Sequence, residues 1–524
     1  MSVDNGPELK YARLVPLEHR KKFAQFFTPC PVAELMASWL LGNENLKTVL
    51  DPAFGLGIFS RALLSRKDDI RIKGFEIDKR IFGRAAKEFA DRKNVDLQMN
   101  DYLYGDWRNQ YDGIICNPPY FKFHDYDNKS ALREIESRLK CRLNGFTNLY
   151  TLFLLKSIHQ LKPGGRCAYI VPSEFLNSGY GKLVKTYLLE TGTLRHVIVI
   201  DFEENIFNDA LTTASIILCA KDDETDGVRF TYVRSMEELD AVKKTVMTYP
   251  GTNDATAAYS FAELDPEVKW RVYYQPSNGD RFKNLVPFST FAKVVRGIAT
   301  GANDYFTFNP SKARKYSIDE RYLLPCVCKA VDVRGHFFTD SDFEELKQKE
   351  KKIFLLNVQD LNDRHVRKYL RKGEDENIDK KHLTAHRHPW YALENRPPSP
   401  IWVSVFNRTG LRFVRNEAKV SNLTAFHCVY PQKQFRTDVP TDLLFAYLLT
   451  DTARHIFEDN RREYGNGLQK FEPNDLNKGK IPDLTTLSPS DKVRIMELYR
   501  RYAKDGDKNW IKEIDAVFKT IYVS

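Results

Sequence analysis

From residue 26 to residue 220, helical and alternating patterns of apolar residues follow one another in regular order. Thr28-Pro29 precedes an apolar stretch with helical spacing, Val32 to Leu41. Thr48-Val49-Leu50 is a short β-rich run. Ile58 to Leu64 predicts a helix, Ile70 to Ile77 a strand, Ile81 to Ala90 a helix and Tyr111 to Cys116 an apolar strand. Leu149 to Leu161 predicts a helix ended by Lys162-Pro163-Gly164-Gly165. Cys167 to Val171 reads as a strand and Tyr180 to Leu189 as a helix; His196 to Ile200 and Thr213 to Cys219 are strands. Strands alternating with helices predict an α/β fold built on a mostly parallel, doubly wound sheet. The last two strands are joined too closely for a helical crossover and are expected to form an antiparallel hairpin.

The pattern is weaker on either side. Residues 1–25 are polar and show no clear period, and residues 221–270 are charged and weakly periodic, which suggests a linker or small subdomain. Beyond about residue 280, short aromatic-rich strands mix with loops and basic residues. The expected division is a first α/β domain over 1–225, a linker or small subdomain over 226–275 and a second domain over 276–524. The charged stretch from Asp342 to Lys352 and the acidic loop from Gly373 to Lys381 are read as solvated surface.

Composition narrows the class. The 524 residues are 42% hydrophobic and 13% aromatic, enough for buried cores and too apolar for a disordered chain. Eight cysteines without a C-x-x-C pair argue against a disulfide scaffold or a zinc site, so no metal is expected and a reducing cytosol is the default. No run of about 18 apolar residues predicts a membrane span. The net charge of +10 is unevenly placed: 44 basic and 33 acidic residues lie from Arg271 to Ser524, against 36 and 37 before them. The second half therefore suits a polyanion.

Candidate chemistry falls at the carboxyl ends of the predicted strands, where open α/β sheets bind ligands. Asp51-Pro52-Ala53-Phe54-Gly55-Leu56-Gly57 lies between a strand and a helix, and its glycines allow a sharp turn and close approach to a ligand. Glu76, at the tip of the next strand and before Ile77, is placed to accept ribose hydroxyls. The third glycine of a dinucleotide fold is replaced by Ser60, which disfavours nicotinamide or flavin. Asn100-Asp101-Tyr102 follows the third strand. The fourth strand ends in Asn117-Pro118-Pro119-Tyr120. Its prolines stiffen the loop and remove N–H donors, so it presents carbonyls; Asn117 adds an amide oxygen and Tyr120 an aromatic plate. Such a site suits a planar amino group gripped through its two N–H bonds while its ring stacks.

In order and spacing these elements resemble the gamma-class, TaqI-type DNA adenine-N6 methyltransferases. The F-x-T-P element of that family is Phe26-Phe27-Thr28-Pro29 here, and its Asn-Leu-Tyr segment is Asn148-Leu149-Tyr150. The resemblance implies a seven-stranded, Rossmann-like methyltransferase sheet with a closing antiparallel hairpin, followed by an α+β target-recognition domain. It implies S-adenosylmethionine as cofactor, held by Phe27, Thr28, Pro29, Asp51, Ala53, Gly55, Gly57, Glu76, Ile77, Asp101, Tyr102, Asn117 and Pro119. It assigns catalysis to Asn117, Pro118, Pro119 and Tyr120, with Phe207 as a second stacking residue. The target is a flipped-out adenine in double-stranded DNA. The second half resembles the family's recognition domain more loosely, and Thr300, Asn303, Tyr464, Gln469 and Lys470 are its candidate DNA contacts. The family's usual setting is a bacterial restriction-modification system, cytoplasmic, with a separate cognate endonuclease as a possible partner; a monomer would suffice. The competing reading is an RNA or protein-glutamine methyltransferase using the same Asn-Pro-Pro-Tyr site. A cytosine-C5 mechanism needs a nucleophilic cysteine in a Pro-Cys loop, and Cys116 is expected to point into its strand.

Overall fold

The structure is a computed structural model. It describes residues 5–120, 129–139, 143, 148–202, 213–224, 227–251, 258–275, 277–394, 396–407, 410–432, 439–460, 462–464 and 468–523, except for the side chains of 21, 129–132, 180, 407, 462–464 and 468–469. The chain forms two compact units, residues 1–276 with 463–467, and residues 277–462 with 468–524.

The strands of the first unit are β1 (Thr48–Asp51), β2 (Arg71–Phe75), β3 (Val95–Gln98), β4 (Tyr111–Cys116), β5 (Leu161–Pro172), β6 (Leu194–Ile200), β7 (Ala214–Ala220), β8 (Val228–Val233) and β9 (Ala258–Tyr259). They make one sheet in the order β3-β2-β1-β4-β5-β7-β6-β8-β9. β1 pairs in parallel with β2 and β4, and β4 with β5; β7 runs antiparallel to both β5 and β6. The central strands are nearly continuous apolar runs because both faces are covered: all seven residues of β6 and of β7 are buried.

The helices of this unit are α1 (Gly6–Leu14), α2 (Leu17–Lys22), α3 (Cys30–Leu41), α4 (Ile58–Leu64), α5 (Lys79–Glu88), α6 (Lys129–Leu139), α7 (Leu149–His159), α8 (Lys182–Glu190) and α9 (Met236–Met247). α3 opens with proline in its first turn, where the missing N–H costs no helical bond. Its apolar residues are buried on all sides, and its Trp39 indole lies within hydrogen-bond distance of the Cys167 and Cys219 carbonyls under the sheet.

The expected closing hairpin is present as β6 and β7, but the sheet has nine strands where seven were expected. The two extra strands fall in 226–275, read from sequence as a linker or small subdomain, and extend the main sheet instead. β8 joins β6 in parallel, β9 closes the edge, and Lys243 of α9 pairs with Glu34 of α3 at 2.8 Å. β8 is only six residues long and β9 two, and both lie between charged stretches, which hid them from periodicity.

The second unit holds a five-stranded sheet in the order Ala292–Arg296, Phe426–Pro431, Ile401–Ser404, Phe413–Asn416, Phe337–Phe338. A four-stranded sheet runs Thr307–Phe308, Phe354–Leu356, Leu323–Val327, Ser421–Asn422. Its last two helices, Pro489–Asp505 and Lys508–Tyr522, help close a core with Tyr447, Phe457 and Phe518. Among the described residues, no helix is long and apolar enough to cross a membrane.

Candidate active site

The glycine loop leaves β1 and enters α4 through two residues of positive φ, Gly55 at +57° and Gly57 at +81°. Gly57 has a second reason to be glycine, since a Cβ there would lie 2.5 Å from the Phe89 ring. At Gly55 an added Cβ would meet only the Ala53 carbonyl oxygen at 4.0 Å, so its φ alone demands glycine. Asp51 at the end of β1 is fully buried, and neither carboxylate oxygen finds a hydrogen-bond partner among the described residues. Burial, helped by nearby Glu76, raises its carboxyl well above the usual carboxylate range.

Glu76 ties two loops together. Its carboxylate accepts from the Gly55 amide at 3.1 Å and from the Ile77 and Asp78 amides at 2.9 and 2.8 Å. Burial still pushes it up to about 7. Ile77 beside it is 49% exposed, an apolar side chain offered to the cavity. Asp101 accepts from the Leu103 amide at 2.9 Å in the turn after β3. Tyr102 is 1% exposed, with its hydroxyl on Ser157 and Gln160. Its ring packs in the core between Phe75 and Phe153 and reaches the cavity only at its edge.

At the end of β4, the Asn117 amide nitrogen donates to the Phe26 carbonyl at 2.8 Å and to the Thr28 hydroxyl at 3.0 Å. The F-x-T-P element thus fixes which way Asn117 points, with its carbonyl oxygen on the opposite side. That oxygen accepts from the Tyr120 hydroxyl at 2.7 Å. The Tyr120 ring lies near-parallel to Phe26, with centroids 6.0 Å apart and planes at 15°. Tyr120 is thus not an open plate here: one face is shared with Phe26 and its hydroxyl rests on Asn117. Cys116 is fully buried, and burial pushes its thiol well up. Phe207 lies outside the described residues.

A cavity of about 310 Å³ joins these pieces. Of the sequence candidates, Phe27, Thr28, Ala53, Gly55, Glu76, Ile77, Asp101, Tyr102, Asn117 and Pro119 line it. Pro29, Asp51, Gly57, Pro118 and Tyr120 are not among its lining residues. Sequence reading missed the N-terminal contribution. Glu8 and residues 22–26 also line the cavity, because α1 and α2 fold over the glycine loop. Glu8 pairs with Arg61 of α4 at 2.6 Å, both side chains being at most 3% exposed. Arg61 also donates to the Leu56 carbonyl at 2.7 Å inside the loop. Spacing gave no signal for this, since buried ion pairs carry no period; the one hint was Arg61, a basic residue in the mostly apolar helix α4.

The second unit carries a larger cleft of about 910 Å³, whose wall includes Thr300, Asn303 and Lys470. Thr300 is 1% exposed and its hydroxyl serves the turn itself, which corrects its place among the direct DNA contacts. Lys470 pairs with Glu472 at 2.7 Å. Tyr464 and Gln469 lie on the short strands Arg462–Tyr464 and Leu468–Lys470, and their side chains are outside the described residues.

Residues 55–207 match the Eco57I restriction-modification methylase family, and residues 279–515 match the C-terminal domain of Type II methyltransferase M.Eco57I. The chain is 61% identical over 526 residues to Type II methyltransferase M.AccI of Acinetobacter calcoaceticus, covering 99% of this chain and 97% of that protein. Type II methyltransferase M.XamI of Xanthomonas campestris pv. amaranthicola is 23% identical over 502 residues, 90% of this chain and 88% of that one. Among solved structures, a nuclease-deletion mutant of the Type ISP restriction-modification enzyme LlaGI with a DNA substrate mimic superposes with a TM-score of 0.52 at 13% identity. That match covers 91% of this chain and 54% of the other, and shows likeness of fold.

Proposed function

The chain belongs to the Type II methyltransferases of restriction-modification systems, and from that premise we propose that it methylates N6 of an adenine flipped out of double-stranded DNA, using S-adenosylmethionine. The observation that carries methylation of an exocyclic amino group is the Asn117 amide, and the resemblance of the Phe26–Pro29 and Asn117–Tyr120 elements to the adenine-N6 enzymes supports adenine. With its nitrogen held by Phe26 and Thr28, only its oxygen can turn to a substrate, and an oxygen acceptor grips an amino group. The Pro118 carbonyl supplies the second acceptor. Two such bonds favour a more tetrahedral N6, with its lone pair directed at the electrophile, which is alignment and preorganised electrostatics without a covalent intermediate. The buried Cys116 supports this choice over attack on cytosine C5.

S-adenosylmethionine supplies an electrophilic methyl group on a sulfonium. The first unit fits it in three places. Glu76 offers a carboxylate to ribose hydroxyls, Ile77 an apolar side chain to the adenine ring, and Asp101 an acceptor to the adenine amino edge. The Asp51 oxygens, buried without partners, suit the cationic methionyl end directly or through water. Flipping the target base costs a few kcal/mol, and stacking on Tyr120 would offset about 1–3 kcal/mol of it. The basic second half binds the duplex.

The test is incubation with labelled S-adenosylmethionine and unmethylated DNA, followed by digestion to nucleosides. The expected product is N6-methyladenine, reduced at least 100-fold by Asn117→Ala. Label in RNA or protein instead would overturn the reading.

A further inference from the structure

The turn from Arg296 to Phe306 in the second unit is locked from three directions. The Thr300 hydroxyl accepts from the Ala302 amide at 3.1 Å and donates to Asn303 Oδ1 at 2.5 Å. Arg387 donates to the carbonyls of Ala299 and Thr300. Leu383 closes on Gly301, where φ is +78° and an added Cβ would lie 2.8 Å from the leucine. From below, the Lys312 ammonium donates to the carbonyls of Asp304, Tyr305 and Thr307 at 2.7 to 2.8 Å.

This scaffold holds out one neutral polar side chain, that of Asn303, which is exposed on the wall of the 910 Å³ cleft. Oδ1 accepts from Thr300, which fixes the amide, and the donor Nδ2 makes no hydrogen bond among the described residues. The charges around it are of both signs. Lys372 pairs with Glu376 at 2.5 Å, Lys470 with Glu472 at 2.7 Å, and Arg296 with Glu472 at 3.2 Å. Lys381 on the rim can meet a phosphate, while the paired charges and mixed donors and acceptors of the wall suit the edges of bases. A polar group whose direction is fixed in advance loses little entropy on binding and discriminates sharply.

We infer that this cleft reads a base edge of the duplex, that Asn303 is a specificity-determining residue donating from Nδ2 to an acceptor such as purine N7 or O6 or thymine O4, and that Thr300 is its positioning residue. The inference rests on the proposed DNA reading and adds a residue and a polarity to it.

The experiment selects duplexes from a randomised pool with the full-length protein and sequences the bound fraction, with methyl transfer measured separately. Asn303→Asp replaces a donor by an acceptor. It should change the preference at a single base pair, lowering discrimination for the original base there about tenfold or more and leaving the other positions intact. Thr300→Val should relax the same base pair, and Thr300→Ser should restore it, a pattern that general destabilisation would not give. Thermal melts identify a variant that fails to fold, in which case Asn303→Ser takes its place. An unchanged preference, weakening spread evenly over all positions, or a wild type that enriches no sequence would each overturn the inference. Enrichment without methyl transfer would instead overturn the proposed reaction and leave the inference standing.

Discussion

The Tyr120 hydroxyl rests on the Asn117 oxygen that a target amino group would use, at 2.7 Å. The base must displace that hydroxyl before its N–H bonds can form, while the tyrosine ring remains as a stacking surface. The two roles separate by mutation. Tyr120→Phe removes the hydroxyl and keeps the ring, so kcat should be held or rise. Tyr120→Ala removes the ring, and affinity for DNA carrying an already unpaired target base should fall by about 1–3 kcal/mol. Equal losses in the two variants would sink this account. Glu76 gives a pH signature. Ribose hydroxyls favour the ionised carboxylate, and burial holds it at about 7 without a ligand. Cofactor affinity should therefore rise as pH climbs to about 7 and level off above it, and Glu76→Gln should flatten that profile. The sign for stability is opposite. The raised carboxyl favours the ligand-free fold fully below its ordinary 4.5, and that contribution is lost as pH rises through about 7. At this scale much was legible. Gly55, Glu76 and Asn117 stand in the cavity wall because each terminates or follows a strand whose pattern was clear. The orientation of Asn117 was not legible, because it depends on Phe26 and Thr28, 91 and 89 residues away in sequence.

At the scale of elements, the strong periods gave α3, α4, β4 and the β6–β7 hairpin within a few residues. What escaped were pieces stabilised by tertiary contacts. α1 and α2 are short and mostly polar, yet α1 is pinned by Glu8 to Arg61, and α2 by His19 to Asp78 at 2.8 Å. β8 and α9 looked like a charged linker because half their surface faces solvent. The Glu8–Arg61 pair is buried, and removing Glu8 takes away the closer of the two carboxylates on Arg61, leaving Glu88 at 3.1 Å. Glu8→Leu should lower the unfolding free energy by about 3 kcal/mol in urea titrations. It should also weaken cofactor binding, because Arg61 holds the Leu56 carbonyl of the glycine loop. If stability falls and cofactor affinity is untouched, α1 braces the unit without shaping the cavity.

For the whole molecule, charge separates the two tasks. The second half carries 44 basic against 33 acidic residues, while the first is nearly balanced at 36 and 37. Each phosphate neutralised releases counterions, so DNA affinity should fall steeply with salt. A footprint of six to ten phosphates gives roughly a 10³- to 10⁵-fold loss between 50 and 200 mM. S-adenosylmethionine has no such counterion atmosphere, and its affinity should change little over the same range. Backbone and base contacts then separate within the second unit. Lys381 is an exposed cation beside the cleft, and Lys381→Gln should reduce the salt slope by about one while leaving sequence preference unchanged. Asn303→Asp should do the reverse, changing preference with the slope intact. Binding isotherms of both variants on preferred and scrambled duplexes, at four or more salt concentrations, would show it. If both residues altered the slope and neither altered preference, the cleft would be a backbone clamp, and sequence reading would lie elsewhere in the second unit.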